Sequence, residues 1–208
     1  MNDQAKLGMI AGILLLGFVL IGAVSASVIM TSTTKYSEDN LNRITNEVVD
    51  EICTYLQINH IVGKYQTIHG EQKIQKIVIL IKPLVSQEID VSHMTLELID
   101  GEHLTILTYN GLAESFQSGS LFEHPLWNSM PSGTFSLLTT IDDDSSIVNA
   151  HLLNKNTDMA FILLKLPDDM AMNTDNQLKV TILTSPGIGR TVTLEAPLST
   201  QSVVTLYE

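Results

Sequence analysis

From Leu7 to Thr34 the chain carries no charged side chain. The middle of that stretch, Gly8 to Met30, reads GMIAGILLLGFVLIGAVSASVIM and is flanked by Lys6 and Lys35. An apolar run of about 20 residues is long enough to cross a bilayer as a helix, whereas a secretory signal has a shorter apolar core followed by a small-residue cleavage site. Here the run flows into a second helical pattern. Leu41, Ile44, Val48, Ile52, Tyr55 and Leu56 recur at three- and four-residue steps up to about Asn59, with Glu38, Asp39, Arg43, Glu47, Asp50 and Glu51 mostly on the other face. Residues 8 to 58 are therefore expected to form one long rod, or two helices nearly end to end, about 75 Å long at about 1.5 Å per residue. Such a rod has more apolar face than the rest of the chain can cover, so a membrane or copies of itself must hide it.

The composition of the rod favours copies. Gly8, Gly12, Gly17, Gly22, Ala23, Ser25, Ala26 and Ser27 recur among the large apolar residues, and small residues let helix backbones approach closely where water is absent. Each glycine costs about 1 kcal/mol against alanine in an isolated helix, a cost that a crowded bundle recovers through packing. The expected polymerisation interface is Gly8, Gly12, Leu15, Gly17, Phe18, Val19, Ile21, Gly22, Ala23 and Val24.

Near Gly63 the pattern changes to strand. Ile74–Lys82 is a strong β-run ended by Pro83, and Met94–Ile99 and His103–Tyr109 flank Asp100-Gly101, a hairpin signal. Asn110-Gly111 marks a further turn. Thr134–Thr140, Ile147–Leu153, Met159–Leu166, Leu178–Leu183, Thr191–Ala196 and Val203–Tyr207 complete nine short runs, separated by Gly, Pro, Asp and Asn, which argue for an antiparallel sandwich. Residues 112–133, rich in Ser and Gly, read as a long surface loop in which Phe122 and Trp127 form either an interface patch or a small core.

A formal net charge of −12 excludes a nucleic-acid partner, which needs clustered Lys and Arg. There is no nucleophile elbow, P-loop, dinucleotide fingerprint or zinc-spaced Cys/His set. No small-molecule substrate or cofactor is expected. His60, His69, His93, His103, His124 and His151 are isolated from one another in sequence and read as ordinary surface or strand residues. Asp142, Asp143 and Asp144 form a notable acidic cluster; three carboxylates can hold Ca²⁺ or Mg²⁺, but the spacing is not that of an EF-hand and a solvated turn is the favoured reading. The single cysteine, Cys53, allows no internal disulfide and reads as a thiol packed on its helix, and no Asn-x-Ser/Thr acceptor is present.

These residues resemble archaellins, the subunits of the archaeal swimming filament. Gly8-Met9-Ile10-Ala11-Gly12-Ile13 through Phe18-Val19-Leu20-Ile21-Gly22-Ala23-Val24 is similar to the archaellin helix in register. The strand Ile74–Pro83, followed by Glu88-Ile89-Asp90-Val91-Ser92, is similar to an archaellin pattern, as is the tail Ser185-Pro186-Gly187, Thr191–Glu195 and Ala196-Pro197-Leu198-Ser199. The resemblance implies an α+β chain: a long N-terminal hydrophobic α-helix (residues 1–60) that builds the filament core, then an antiparallel immunoglobulin-like β-sandwich (61–208) that coats it. It also implies membrane insertion before assembly, then an extracellular homo-oligomeric filament of many copies, with other archaellins as candidate co-subunits, and no catalysis. An archaeal type IV adhesion pilin, or an archaellum accessory protein that binds the surface layer, is the alternative; a membrane-anchored monomeric binding domain is a rival from another class. Met1–Leu7, with Lys6 and Asp3 as its charges, is not a basic leader, so the chain is expected to be the mature form, with processing after Gly8 as the alternative.

Overall fold

The computed structural model describes residues 15, 16, 18, 19, 56–131, 133–185 and 189–208. The chain separates into two units, residues 1–48 and 49–208. Leu15, Leu16, Phe18 and Val19 are helical; the remainder of the expected rod up to residue 55, Cys53 included, lies outside the described residues. Among the described residues no helix is long and apolar enough to cross a membrane.

The second unit is mostly β-structure. Its strands are β1 (Leu56–Ile68), β2 (Glu71–Pro83), β3 (Ile89–Asp90), β4 (Thr95–Ile99), β5 (Leu104–Ser115), β6 (Thr134–Ile141), β7 (Leu152–Leu153), β8 (Met159–Lys165), β9 (Gln177–Leu183), β10 (Arg190–Glu195) and β11 (Val203–Tyr207). Two short helical turns are α1 (Leu126–Ser129) and α2 (Ser146–Ala150). Nine strands hydrogen-bond into one sheet in the order β10-β9-β4-β5-β6-β8-β2-β1-β11, and β3 pairs with β7 separately. At about 4.8 Å per strand, a flat sheet of this width would span roughly 40 Å. Yet every one of its strands sends side chains into a single cluster, from Val192 and Leu194 on β10 to Val204 and Leu206 on β11. The sheet therefore curls around one core. β10 and β11, at its two edges, contact each other, and the Tyr65 hydroxyl donates to the Pro197 carbonyl at 2.6 Å.

Several expectations are corrected. The helical pattern was expected to reach Asn59, but β1 already begins at Leu56. Pairing with β2 along its length overrides the local periodicity, and the hairpin turns at His69-Gly70, both with positive φ, as a tight two-residue hairpin turn requires. Gly63 lies inside β1, where a Cβ would meet Ile74 Cγ2 at 2.8 Å. The sandwich was expected to be antiparallel; nine of the strands form one continuous sheet, and within it β5 and β6 run parallel. Parallel neighbours need a crossover rather than a tight turn, and residues 116–133 supply it. Asn110-Gly111 does not end a strand. Gly111 (φ +79°) makes an irregularity inside β5, whose first half pairs with β4 and whose second half pairs mainly with β6; the Asn110 side chain holds it by donating to Ser136 Oγ at 2.8 Å and accepting from Leu112 N at 2.9 Å. Ile147–Leu153 is not one strand. α2 occupies its first part and ends where His151, in the left-handed conformation, donates its N–H to the carbonyls of Ile147 and Ser146. The Asp100-Gly101 turn is as expected, with Asp100 Oδ1 accepting from the N–H groups of Glu102 (2.9 Å) and His103 (2.7 Å).

The crossover is a cover. Phe122, Leu126, Trp127 and Met130 pack on Val78, Leu138 and Leu163, on the side of β2, β6 and β8 that faces away from the main core. Trp127 Nε1 donates to the Leu121 carbonyl at 2.8 Å, and its ring stacks on Phe122 with centroids 6.3 Å apart. Of the two expected roles for Phe122 and Trp127, the small core is the one observed.

Candidate functional site

Of the expected polymerisation determinants, the described residues include Leu15, Phe18 and Val19, which with Leu16 are helical and exposed at 68%, 72%, 63% and 64% respectively. Gly8, Gly12, Gly17, Ile21, Gly22, Ala23 and Val24 lie outside the described residues. Removing one large apolar side chain from water is worth roughly 1.5–3 kcal/mol, so these four exposed side chains alone make a partner for the helix favourable.

The second candidate is built by three loops around α2. Asp142 ends the segment after β6 and caps α2: its Oδ2 accepts from the N–H groups of Ile147 (3.2 Å) and Val148 (3.3 Å). Asp144 accepts from Ser146 N at 3.2 Å, from Asn154 Nδ2 at 3.0 Å, and from Lys155 Nζ at 3.0 Å. Asp158 arrives from the turn before β8 and is fully buried; its Oδ2 accepts from the N–H groups of Asn154 (3.0 Å) and Lys155 (2.9 Å). One oxygen from each of the three carboxylates falls within 4.8 Å of the others.

The electrostatics of this group are unbalanced. Burial raises the Asp142 pKa above the ordinary carboxylate value, and the Asp158 charge adds to the rise. Hydrogen bonds from Asn154 and Lys155 hold the Asp144 pKa below it, and the same contact raises that of Lys155. Asp158 Oδ1 is buried without a hydrogen-bond partner, and a buried carboxylate oxygen left unpaired is costly. Ca²⁺ binds oxygens at about 2.3–2.6 Å, so two ligands on opposite sides of the ion stand about 4.8 Å apart. The three carboxylates, with Leu152 O and Asn154 Oδ1 beside the Ser146 hydroxyl, are chemically suited to a hard divalent cation. The sequence reading grouped Asp142, Asp143 and Asp144. The fold replaces exposed Asp143 by Asp158, which no local spacing connects to the cluster.

The histidines fall outside this group. His93 pairs with Asp90 and His103 with Asp100, each at 3.1 Å, and His151 Nδ1 meets the Tyr109 hydroxyl at 3.0 Å.

Residues 5–194 match the profile of the archaeal-type flagellin family. Flagellin B3 of Methanocaldococcus jannaschii is 25% identical over 172 residues, covering 80% of this chain and 78% of that protein. The crystal structure of archaeal flagellin FlaB1 from Methanocaldococcus jannaschii superposes with a TM-score of 0.63 at 23% identity, over 73% of this chain and 95% of that one. The archaeal flagellum of Methanospirillum hungatei strain JF1 superposes with a TM-score of 0.59 at 15% identity, over 96% of this chain and 99% of that one.

Proposed function

The chain belongs to the archaeal-type flagellin family, and on that premise we propose that it is the structural subunit whose N-terminal segment polymerises into the archaellum, the swimming filament at the cell surface. The match over residues 5–194 carries this reading, because it takes in both the apolar N-terminal run and nearly all of the β-rich body. The family is one of structural filament proteins, and catalysis has no part in the proposal.

The finer parts of the reading rest on residue chemistry. The helical segment that precedes β1 builds the core of the filament, and Gly8, Gly12, Gly17, Gly22 and Ala23 set how closely neighbouring helices approach, with Leu15, Phe18, Val19, Ile21 and Val24 filling the space between them. Before assembly the same segment sits in the membrane. Copies related by one screw operation make head-to-tail contacts that never close, which yields an open fibre. The outer body, from β1 to residue 208, is an immunoglobulin-like domain in a wrapped form, a reading supported by the single core that strands from both halves of the sheet share. Gly17→Leu with Gly22→Leu tests the packing: electron microscopy of sheared surface fibres is expected to show loss of filaments, and normal filaments from the double variant refute it.

A second, structural role is supported by the unpaired Asp158 oxygen. We infer that Asp142, Asp144 and Asp158 hold a divalent cation, Ca²⁺ by preference for its tolerance of irregular oxygen cages. About 1 mM Ca²⁺, the range of extracellular calcium modules, is expected to raise the melting temperature of the wild-type protein and leave Asp158→Asn unmoved. Equal melting curves for the wild type in Ca²⁺ and in EDTA remove the cation from the account.

A further inference from the structure

The chain has 11 Lys and Arg against 23 Asp and Glu, yet three of those cations stand in one straight line. Lys64 on β1 pairs directly with Lys76 on β2, and Lys76 pairs directly with Lys165 on β8. Paired residues of neighbouring strands share a face, and like charges placed opposite one another oppose sheet formation. The face is the outer one, since Val62, Val78 and Leu163, two positions along the same strands, pack under the crossover cover.

The cover compensates the row only in part. Lys64 Nζ lies 3.7 Å from Glu123, and Lys76 Nζ donates to the Phe122 carbonyl at 3.3 Å and lies 5.0 Å over the Trp127 ring. Among the described residues Glu123 is the one carboxylate in an ion pair with the row. Asp168, which accepts from Gln75 Nε2 at 2.5 Å, lines the same cavity of about 310 Å³ as Lys165 and keeps its negative charge beside the end of the row. With Glu123 the one carboxylate in an ion pair and Asp168 near Lys165, the three cations still make a locally positive strip on an acidic domain. The Lys76 pKa is lowered by burial and then by Lys64 and Lys165, as a crowded row requires.

We propose that Lys64, Lys76 and Lys165 form a docking site for the carboxylate-rich surface of a second copy of this chain. The inference rests on the filament reading above. Charge complementarity points to this occupant. Copies that each carry a net charge of −12 repel when their outer domains are brought together, and a positive row on each copy gives the neighbour's carboxylates a place to bind. The contact joins unlike patches, so it repeats along an open fibre in the manner of the helical core. The cover holds Lys64 and Lys76 in place, while Lys165 is exposed and reaches the neighbour most freely.

The test compares filaments of full-length wild type and Lys165→Glu, melted at about 0.05 M and about 1 M salt, where the screening length falls to about 3 Å. Salt screens both the repulsion between acidic copies and the attraction to the row, so the row's contribution is read as the difference between wild type and variant at each salt concentration. Lys165→Glu filaments are expected to melt lower than wild type at low salt, by about 2–4 °C, and that difference is expected to shrink as salt rises. Lys165→Gln, which removes the charge without reversing it, is expected to fall between. Equal melting points and salt responses for all three overturn the proposal while leaving the filament reading intact; absence of filaments from the wild type sinks that reading instead. Unchanged filaments combined with lost binding of dextran sulfate by Lys165→Glu also overturn it, and assign the row to an anionic polymer.

Discussion

The two halves of the curled sheet bury the same kind of inner face but treat their outer faces differently. On β2, β6 and β8 the outer residues Val78, Leu138 and Leu163 are 1%, 0% and 0% exposed, because the chain folds its own crossover over them. On β5 the outer residues Leu104 and Ile106 are 59% and 58% exposed; their cross-strand neighbours are Ile99 and Glu97, and β9 next to β4 adds Lys179 and Thr181. One half is thus a three-layer structure made by a single chain, and the other is a two-layer structure with one wet face. The difference shows that a parallel strand pair in a mixed sheet brings its own cover: the segment needed to return the chain from β5 to the start of β6 must cross a face, and apolar residues along it make that crossing stable.

The comparison breaks most readily at Trp127. It is 5% exposed, stacks on Phe122 and lies under Lys76. Trp127→Ala is expected to cost about 3–5 kcal/mol, the range for removing a buried aromatic, and to free the cover so that the outer side chains of β2, β6 and β8 bind a hydrophobic dye. The matched change on the other half, Ile106→Ala, is expected to stay within about 0.5 kcal/mol, as surface substitutions do. Chemical denaturation of both variants measures the contrast. A cost near zero at Trp127, or one of several kcal/mol at Ile106, would show that cover and bare face have been assigned the wrong way round.

That contrast is written in the sequence, though it takes the fold to read it. β2 and β8 contain the continuous apolar runs Ile77-Val78-Ile79-Leu80-Ile81 and Ala160-Phe161-Ile162-Leu163-Leu164, the pattern of strands covered on both faces. β9 and β10 alternate apolar with polar, as Leu178-Lys179-Val180-Thr181 and Thr191-Val192-Thr193-Leu194 show, the pattern of strands with one wet face. Strand existence was legible for β2, β4, the first half of β5, β6, β8, β9, β10 and β11. What single-segment periodicity lacks is pairing. Nothing local says that Ser115 and Thr139 run side by side in parallel, that Leu56–Asn59 joins β1 rather than a helix, or that Ile147–Ala150 coils because Asp142 caps it. The acidic site was half legible for the same reason: Asp142 and Asp144 lie two residues apart in sequence, while Asp158 reaches them only because β6 and β8 are neighbours in the sheet. The family resemblance was legible from the apolar run and the β-patterns together.

The finest test of the comparison uses the turn that closes the bare half. Asp100 and His103 at the β4–β5 tip form a hydrogen-bonded pair, His103 Nδ1 to Asp100 Oδ2 at 3.1 Å, and this contact raises the His103 pKa above the ordinary histidine value. A raised folded pKa means that protonated His103 favours the folded state: the stabilisation is fully present below the unfolded value near pH 6.5 and is lost as pH rises through the folded value. The pair is exposed, so solvent screens it and the effect is expected to be small. It is also local, because the outer face near the turn has no cover to spread the change. Hydrogen exchange of the β4 and β5 amides is expected to quicken slightly from pH 6 to pH 8 once corrected for intrinsic rate, while the amides of β2 and β8 hold constant. Asp100→Asn is expected to abolish that dependence and lower the His103 titration midpoint. An equal response in the covered half would mean that the two faces open as one unit, and that the crossover contributes burial without giving its half of the sheet an independent stability.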